Sequence, residues 1–466
     1  MLKWGACSRH SRVLASWGLR LVPWKSSHQA AAKTPAAAHL SLRLDDGNVF
    51  RLKSNWELTR GLLVFFLCSS PWLVQKAPLL LSASRRVLGR RLWSNALRLT
   101  LYGQFVAGET HEEIKETLQQ LQALGVRPLL AVPIEEDVGQ TREGEAWYDK
   151  NTTSMLTCLD LSVGGATKPM MQMRVTALMA AELCKTIALR LKEQEGKSDL
   201  SLERVVAVMK GKKLNFSCLN QEENQNFQKS LHRLNSVAQY AVEKGVRVLV
   251  DAEYTYINPA LTLVTLAMMV AWNIEHPWIW NTYQAYLKDT LERMNQDLAL
   301  LEHLGVCFGV KLVRGAYLEK ERKLAKEEGY LDPVQPSWEA TNENYLRCLD
   351  FGLDQAVQAG GRFELIVATH NEASVMHAVQ RMAEIGMDKD TGPVSFGQLL
   401  GMCDQVSLAL GQAGYAVYKS IPYGSVEEVI PYLIRRAHEN QSVLHGIRKE
   451  RDLLHSELRR RILRKT

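Results

Sequence analysis

Short apolar runs recur along the chain, and most follow a segment whose apolar residues have helical spacing. Several helical segments end in glycine directly before such a run, as at Gly125, Gly245 and Gly305. Glycine is the common residue after the last turn of a helix, and the apolar run suits a buried parallel strand. The pattern predicts eight strands, at 127–134, 172–178, 247–253, 278–286, 308–317, 363–370, 394–400 and 416–421.

Predicted helices separate most of these strands, for example at 226–243, 287–304 and 342–359. Repeated alternation predicts a parallel α/β sheet, and eight units favour a distorted (β/α)8 TIM-type barrel over the alternative, a doubly wound open sheet. Segments 139–160 and 192–225 break this rhythm and are predicted to be surface insertions. Polar residues gather where the strands end, which is where a barrel carries its active site. They are Asp251, Glu253, Gln284, Lys311, Arg314, Thr369, His370 and Asn371.

The regions flanking the barrel are also predicted to be helical. Residues 45–120 form additional N-terminal helices, residues 121–445 the barrel, and residues 446–466 a basic C-terminal helix. Thr110 and Glu113 have the spacing of a capping box that opens a helix before Gly125. No apolar run reaches the roughly 18 residues that a transmembrane helix needs, so none is predicted.

The first 44 residues have a different composition from the rest of the chain. They contain seven Lys and Arg residues, several Ser and Ala residues, and no acid before Asp45. This composition is typical of a mitochondrial transit peptide, and a disordered basic tail is the alternative. The segment therefore predicts a mitochondrial protein.

The overall composition excludes several classes of function. The 466 residues are 46% hydrophobic and 23% charged, as in an ordinary soluble globular protein. The net charge of +7 is mild and lies largely at the two ends, so no nucleic-acid partner is expected. The eight cysteines are scattered without a CxxC pair, so we expect no metal site and no disulfide framework.

The last predicted barrel helix offers an anion-binding pattern. Ser425 and Glu428 have capping-box spacing, and one helical face then carries polar residues three and four positions apart. An adjacent arginine pair is well shaped to bind a carboxylate, although a solvated basic stripe is the commoner outcome. These residues are Tyr432, Arg435, Arg436 and Glu439.

Two cations, Lys311 and Arg314, lie on a strand that otherwise reads as buried. A buried cation requires an anionic or hydrogen-bonding partner. Phosphates or a reduced flavin would serve, and a structural ion pair with Asp251 or Glu253 would serve equally. The chain has neither a G-x-G-x-x-G turn after a strand nor a Walker A motif, so a dinucleotide would be held by side chains at the barrel mouth.

Six blocks of residues carry a resemblance to a known family. They are 251–253, 281–286, 311–317, 368–371, 396–402 and 432–440. In this order they resemble the proline dehydrogenase family from about residue 100 to the C-terminus, and within it the animal mitochondrial hydroxyproline dehydrogenase branch. The resemblance implies FAD across the carboxyl ends of the strands. It also implies hydride transfer to the flavin from the ring carbon next to nitrogen, with electrons passing to ubiquinone.

The resemblance also implies roles for individual residues. Arg435 and Arg436 would bind the carboxylate of an imino acid, with Asp251 as a polar partner within the site. The ring would contact Tyr317, Leu399 and Tyr432. FAD would be held by Gln284, Lys311, Arg314, Gly315, Ala316, Thr341, Thr369, His370, Asn371 and Glu439.

Two positions depart from the usual pattern of the family. Ser420, twelve residues before Tyr432, stands where proline-specific members carry Tyr, and Arg174 stands where the family usually has Lys. A serine leaves room for a 4-hydroxyl group and offers it a hydrogen bond. The sequence therefore favours oxidation of trans-4-hydroxy-L-proline to 1-pyrroline-3-hydroxy-5-carboxylate.

Three other functions stay open from the sequence. They are an L-proline dehydrogenase that forms 1-pyrroline-5-carboxylate, a Schiff-base aldolase using Lys311, and a non-catalytic binding barrel. The basic, partly apolar stretch 458–465 is also a candidate for peripheral contact with the inner mitochondrial membrane. A frayed, solvated helix end is the alternative.

Overall fold

The computed structural model describes residues 42–134, 144–164, 167–193, 199–439 and 444–463, without the side chains of residues 438, 439 and 444–447. Apart from its last three residues, the predicted transit peptide lies outside this part of the chain.

Eight parallel strands close into one barrel in chain order, as the strand–helix alternation predicted. Each strand pairs with its two neighbours in sequence, and β8 returns to β1 with Ser420 opposite Leu129. A closed ring of this kind excludes the open sheet. The strands are β1 (Arg127–Ala131), β2 (Met170–Met173), β3 (Arg247–Val250), β4 (Ile279–Gln284), β5 (Phe308–Val313), β6 (Phe363–Ala368), β7 (Val394–Leu399) and β8 (Val417–Pro422).

The first seven predicted strands ran past their observed ends. The strands β3, β5 and β6 end at Val250, Val313 and Ala368, so Asp251, Arg314 and His370 lie in the loops that follow and not on strands. After β2 the chain turns into a short 3₁₀ helix, Val175–Ala177, that is fully buried. Apolar composition cannot distinguish such a buried turn from a strand, which is why the prediction at 172–178 was wrong at its end.

Three long α-helices precede the barrel: α1 (Asn55–Cys68), α2 (Pro71–Leu97) and α3 (His111–Ala123). A 3₁₀ helix (Gly47–Leu52) lies before α1, and a π-helix (Arg98–Tyr102) and a short α-helical turn (Gly103–Phe105) lie between α2 and α3. The predicted capping box opens α3, where the Thr110 side chain accepts the Glu113 N–H and Glu113 accepts the Thr110 N–H. Gly89 interrupts α2 with φ 72° and ψ 164°, outside the helical region. No single helix among the described residues is long and apolar enough to cross a membrane. The pair formed by α1 and Pro71–Phe105, bent by 98°, meets that requirement only jointly.

Helices then alternate with the strands and surround the barrel. They are α4 (Gly144–Ser162), α5 (Ala181–Glu193), α6 (Leu202–Met209), α7 (Gln221–Lys244), α8 (Asn258–Trp272), α9 (Thr290–His303), α10 (Leu318–Glu328), α11 (Trp338–Gln358), α12 (Glu372–Glu384), α13 (Asp404–Gln412) and α14 (Val426–Glu439). A final helix, α15 (Leu444–Leu463), packs against α1.

The two segments predicted to be surface insertions are largely parts of the packed fold. Within the first segment, α4 buries Met155, Cys158 and Leu159 and lies against β1 and β2. Within the second, α6 buries Val205 and packs on α7 and α8. Both segments also contain many polar residues on their outer faces. Their average composition is therefore polar, which is why they were predicted to be surface insertions.

Large side chains fill the barrel interior and close its amino-terminal end. Trp280 is 1% exposed, and it fits because its neighbour on β5 is Gly309, where a Cβ would lie 2.4 Å from the indole ring. Below it, Arg247 donates to Glu364 at 2.6 and 3.0 Å. The carboxyl ends of the strands are therefore the end at which a site can form.

Candidate active site

An ion-paired cluster lies at the carboxyl ends of β2, β3 and β5. Lys311 Nζ donates to Asp251 Oδ1 at 2.7 Å, and Gln172 Nε2 donates to the same oxygen at 3.3 Å. The Arg174 guanidinium lies 4.0 Å from Asp251 and 3.8 Å from Glu253. The carboxylate pairing weighed from the sequence is therefore present, and Asp251 is the partner of Lys311.

These cations decide the charge state of Asp251. Burial alone would raise its pKa, but the charges of Lys311 and Arg174 outweigh burial and lower the pKa below its ordinary value. Asp251 is thus anionic at neutral pH. It is a fixed negative charge that positions Lys311 at the barrel mouth.

Arg174 makes several contacts at once that the lysine usual in the family could not make together. Besides the two carboxylates, its guanidinium donates to the Tyr317 hydroxyl at 3.3 Å. Tyr317 is 6% exposed, and its ring contacts that of Tyr254 at a centroid distance of 4.3 Å with the planes tilted by 39°. A planar, multiply donating group bridges three partners, whereas an ammonium is a point charge. The departure from lysine therefore fits the local geometry.

Arg314, in the loop after β5, is held by neutral groups. It donates to Asn342 Oδ1 at 2.9 Å, Thr369 Oγ1 at 2.6 Å and Ser374 Oγ at 2.8 Å, and it lies 4.2 Å from the Tyr345 ring. No described carboxylate is within ion-pair distance of it. Burial lowers the pKa of this guanidinium. Such a cation can pair with an anionic group of a ligand.

Other residues expected to hold a cofactor lie on β4, on α11 and in the loop after β5. Gly315 follows it with φ 119°, and a Cβ there would lie 1.9 Å from the Tyr286 ring, so only glycine fits. Gln284 is buried at the end of β4 and donates to the Glu253 carbonyl at 3.2 Å. Thr341, on α11, is buried and donates to the Ser337 carbonyl. Ala316 is half-buried beside Gly315.

His370 and Asn371 follow β6. His370 Nε2 accepts the Leu399 backbone N–H at 3.0 Å, which places its proton on Nδ1. Burial first, and then the charge of Lys419, lower the pKa of His370 to about 3, so the imidazole is neutral at physiological pH. Asn371 caps α12 by accepting the Ser374 N–H at 3.0 Å.

A mostly apolar cavity of about 270 Å³ lies beside this polar cluster. One wall is formed by the N-terminal helices, including Phe65 and Leu73, and the opposite wall by the barrel mouth and α14. The barrel side brings together four residues singled out in the sequence: Leu399, Ser420, Tyr432 and Arg436.

Ser420 connects the cavity to the ion-paired cluster. Its hydroxyl donates to Gln172 Oε1, and the amide of Gln172 in turn donates to Asp251. The sequence did not single out Gln172, which lies on β2 between methionines. A polar residue within an otherwise apolar strand was the signal that could have found it.

The two arginines of α14 do not occupy equivalent places. The Arg436 guanidinium lies 5.3 Å from the Tyr432 ring, and both side chains line the cavity. Arg435 is half-buried but is not among the described residues that wall the cavity. At the start of α14, Glu428 accepts from both the Ser425 N–H and hydroxyl, which is half of the predicted capping box. The Glu439 side chain lies outside the described part.

A buried ionic network behind the site was also missed. Lys419 Nζ lies 2.8 Å from Asp404 Oδ1, and Lys53 donates to the other oxygen of Asp404. Glu450, on α15, accepts the backbone N–H of Asp404 at 2.9 Å. Lys53 and Asp404 are 351 residues apart in the chain, and single-sequence patterns do not reveal such a pair. Among the described residues, no group of three His, Cys, Asp or Glu side chains is placed to bind a metal.

A closed (β/α)8 barrel with a charged, partly enclosed mouth is the architecture of a barrel enzyme. The family model for proline dehydrogenase matches residues 148–449. The chain is 58% identical to hydroxyproline dehydrogenase of Xenopus laevis, over 95% of this chain and 94% of that protein. It is 54% identical to hydroxyproline dehydrogenase of Homo sapiens, over 90% and 93%. The chain therefore belongs to the proline dehydrogenase family of oxidoreductases.

More distant similarities agree with this assignment. The chain is 34% identical to mitochondrial proline dehydrogenase 1 of Homo sapiens, over 97% of this chain and 94% of that protein. Its fold matches proline utilization A of Bdellovibrio bacteriovorus inactivated by N-propargylglycine, with a TM-score of 0.60 and 18% identity. The match covers 85% of this chain and 38% of that one. At this identity the likeness supports the fold alone.

Proposed function

We propose that the chain oxidises trans-4-hydroxy-L-proline to 1-pyrroline-3-hydroxy-5-carboxylate, with FAD as the hydride acceptor and ubiquinone as the final electron acceptor. The identities of 58% and 54% to proteins named hydroxyproline dehydrogenase, against 34% to proline dehydrogenase 1, support the substrate.

The observation that carries this proposal is the place of Ser420. It lies on the cavity wall with Leu399, Tyr432 and Arg436, and its proton is engaged by Gln172. A hydroxyl has one proton and two acceptor lone pairs, so Ser420 offers an acceptor to a substrate hydroxyl. A site that pairs a substrate hydroxyl disfavours the analogue without it, because its own polar group is left unsatisfied.

The other residues orient the ring and hold its charge. Arg436 is the cavity-lining cation that binds the substrate carboxylate, and Arg435 is its neighbour on α14. Tyr317, Leu399 and Tyr432 limit how the ring can turn. Fixing the carboxylate and the 4-hydroxyl together fixes the direction of the C–H bond next to nitrogen. The amine binds in its neutral form, so no strong general base is needed.

The residues expected to hold FAD fit a dianionic cofactor. Bound flavin supplies the hydride acceptor. Arg314 is a half-buried guanidinium that no described carboxylate neutralises, and glycine is the only residue type that fits at position 315, beside Tyr286. Lys311, Gln284, Thr341, Thr369, His370, Asn371, Ala316 and Glu439 complete the proposed set.

The proposal is tested by the absorption spectrum of the purified full-length protein. We expect a flavin spectrum that is bleached by anaerobic addition of trans-4-hydroxy-L-proline. A colourless protein would contradict the flavin assignment. A flavin that neither imino acid reduces would contradict the assigned reaction. Bleaching by L-proline in preference to hydroxyproline would favour the alternative, an L-proline dehydrogenase. The aldolase alternative is without support, because Lys311 is engaged by Asp251 and the family consists of oxidoreductases.

We also propose that the protein acts in mitochondria. The acid-free, Arg- and Ser-containing composition of residues 1–44 supports this, as does the relative named mitochondrial proline dehydrogenase 1. A fluorescent protein fused to residues 1–44 is expected to enter mitochondria. Cytosolic fluorescence would contradict the proposed mitochondrial localisation.

A further inference from the structure

The N-terminal helices present an apolar surface to solvent. Half of the exposed large apolar side chains among the described residues lie between Leu52 and Leu99. On α2, Trp72, Leu79 and Val87 are 60%, 66% and 84% exposed. They are seven and eight residues apart, so they lie on one helical face. The described chain does not cover these three side chains, and the exposed side chains of Gln75 and Lys76 lie between the first two.

The same helix is strongly basic. α2 contains five Lys and Arg residues and no acidic residue. Four exposed arginines, Arg85, Arg86, Arg90 and Arg91, flank the interruption at Gly89. Glu427 lies 2.8 Å from Arg90 and 3.9 Å from Arg85, whereas no described carboxylate is within ion-pair distance of Arg86 or Arg91.

We infer that the outward face of α2, with its four arginines, docks on an anionic phospholipid bilayer. An amphipathic helix with apolar residues on one face and arginines beside them lies in the plane of a membrane interface. Anionic headgroups supply the charge complement, and each basic residue near the surface strengthens binding about fivefold.

Charge also argues against the two other occupants. A second copy related by a two-fold axis would bring the same arginines against each other, which costs affinity. Residues 1–41 contain six Lys and Arg residues and no acid, so they would be repelled from this face. The basic end of α15 is a weaker membrane candidate, because Arg460 and Arg461 both pair with Glu457.

Docking on α2 would place the bilayer beside the active-site cavity. Leu80 is 40% exposed and also lines the cavity whose far wall holds Ser420 and Tyr432. A lipid-soluble electron acceptor could therefore enter from the bilayer without crossing water. This consequence rests on the proposed function, whereas docking itself does not.

The inference is tested by co-sedimentation of the full-length protein with vesicles. We expect binding to phosphatidylcholine vesicles that contain phosphatidylglycerol, with little binding to phosphatidylcholine alone. Arg86→Glu with Arg91→Glu should lower the partition coefficient at least about 25-fold at low salt. Trp72→Gln, Leu79→Gln and Val87→Gln together should lower it at least about tenfold. A matched control, Ile274→Gln, Leu331→Gln and Val357→Gln, changes equally exposed apolar residues elsewhere and should bind as the wild type does.

Hydroxyproline oxidation with a soluble dye should be unchanged in all three variants, because none of the substituted residues lines the cavity. Equal binding by the wild type and both α2 variants would overturn the inference. So would a dimer in sedimentation velocity that the apolar α2 variant abolishes, or vesicle binding that appears only after removal of residues 1–41. If the wild type binds vesicles as expected but does not oxidise hydroxyproline with the soluble dye, the proposed reaction is contradicted and the docking inference stands.

Discussion

The hydroxyl of Ser420 has one proton, and that proton is directed to Gln172. What remains toward the cavity is an acceptor and the space that a larger side chain would fill. Ser420→Tyr should therefore lower kcat/KM for hydroxyproline relative to that for proline by about tenfold or more, because the phenol crowds a 4-hydroxyl group. Steady-state kinetics with both substrates measure this ratio. Gln172→Leu should lower the same ratio less, since it frees the serine proton without filling the cavity. An unchanged ratio in the tyrosine variant would remove Ser420 from substrate selection.

His370 makes stability depend on pH. Its pKa is lowered to about 3 in the folded protein, against about 6.5 when unfolded, so the unfolded chain takes up the proton first as pH falls. The contribution of the neutral histidine is complete above pH 6.5 and is lost progressively toward pH 3. In urea unfolding at several pH values, His370→Gln should show a shallower loss of stability below pH 6.5, and exposed His232→Gln should keep the wild-type slope. Parallel slopes for all three proteins would contradict this.

Among the secondary-structure elements, α14 shows what spacing can and cannot predict. The sequence places Tyr432, Arg435 and Arg436 within one turn, but the register of the helix decides which arginine reaches the cavity. Only Arg436 lines it. Residue spacing gives relative angles around a helix, whereas the absolute orientation depends on how α14 packs against α2, which is long-range information.

This difference gives a paired prediction for α14. Arg436→Lys should lower kcat/KM for hydroxyproline about 10- to 100-fold, because a lysine cannot replace a planar bidentate contact to the carboxylate. Arg435→Lys should lower it several-fold less. The comparison is made by steady-state kinetics on both variants after circular dichroism shows equal folding. Equal losses in the two variants would place both arginines on the carboxylate.

The strands were predictable for a related reason, and their ends were not. Continuous apolar runs between helices determine that a buried parallel strand exists, and all eight were found. The strands β3 and β5 end at Val250 and Val313, and a charged residue follows each directly. A charged residue is compatible with the last position of a strand as well as with the first position of a loop, so polarity did not mark the end. Asp251 and Arg314 could be picked out as candidate site residues because strand ends converge at the barrel mouth. Their partners Gln172, Asn342 and Ser374 come from other segments, and only the folded geometry brings them together.

Across the whole molecule, one buried network ties the ends of the chain to the barrel. Asp404 forms ion pairs with Lys53 from the N-terminal region and with Lys419 from β8. Glu450, on α15, caps α13 by accepting the backbone N–H groups of Cys403 and Asp404. Although burial opposes it, the two lysines lower the pKa of Asp404 well below its ordinary value. Asp404→Asn leaves two buried ammonium groups without their counter-charge and should cost about 3–5 kcal/mol of unfolding free energy.

Chemical denaturation measures that cost. The matched control is Glu327→Gln, which breaks the exposed Lys323–Glu327 pair and should cost under about 1 kcal/mol. A loss of similar size in the two variants would show that the network around Asp404 adds no more stability than a surface ion pair.

The most direct test compares the two imino acids on the unmodified enzyme. The full-length protein is assayed for kcat/KM with trans-4-hydroxy-L-proline and with L-proline, using the same soluble electron acceptor. The cavity beside Ser420 predicts a higher kcat/KM for hydroxyproline. A higher value for proline would contradict it, and would mean that the space and the acceptor at Ser420 do not select the substrate.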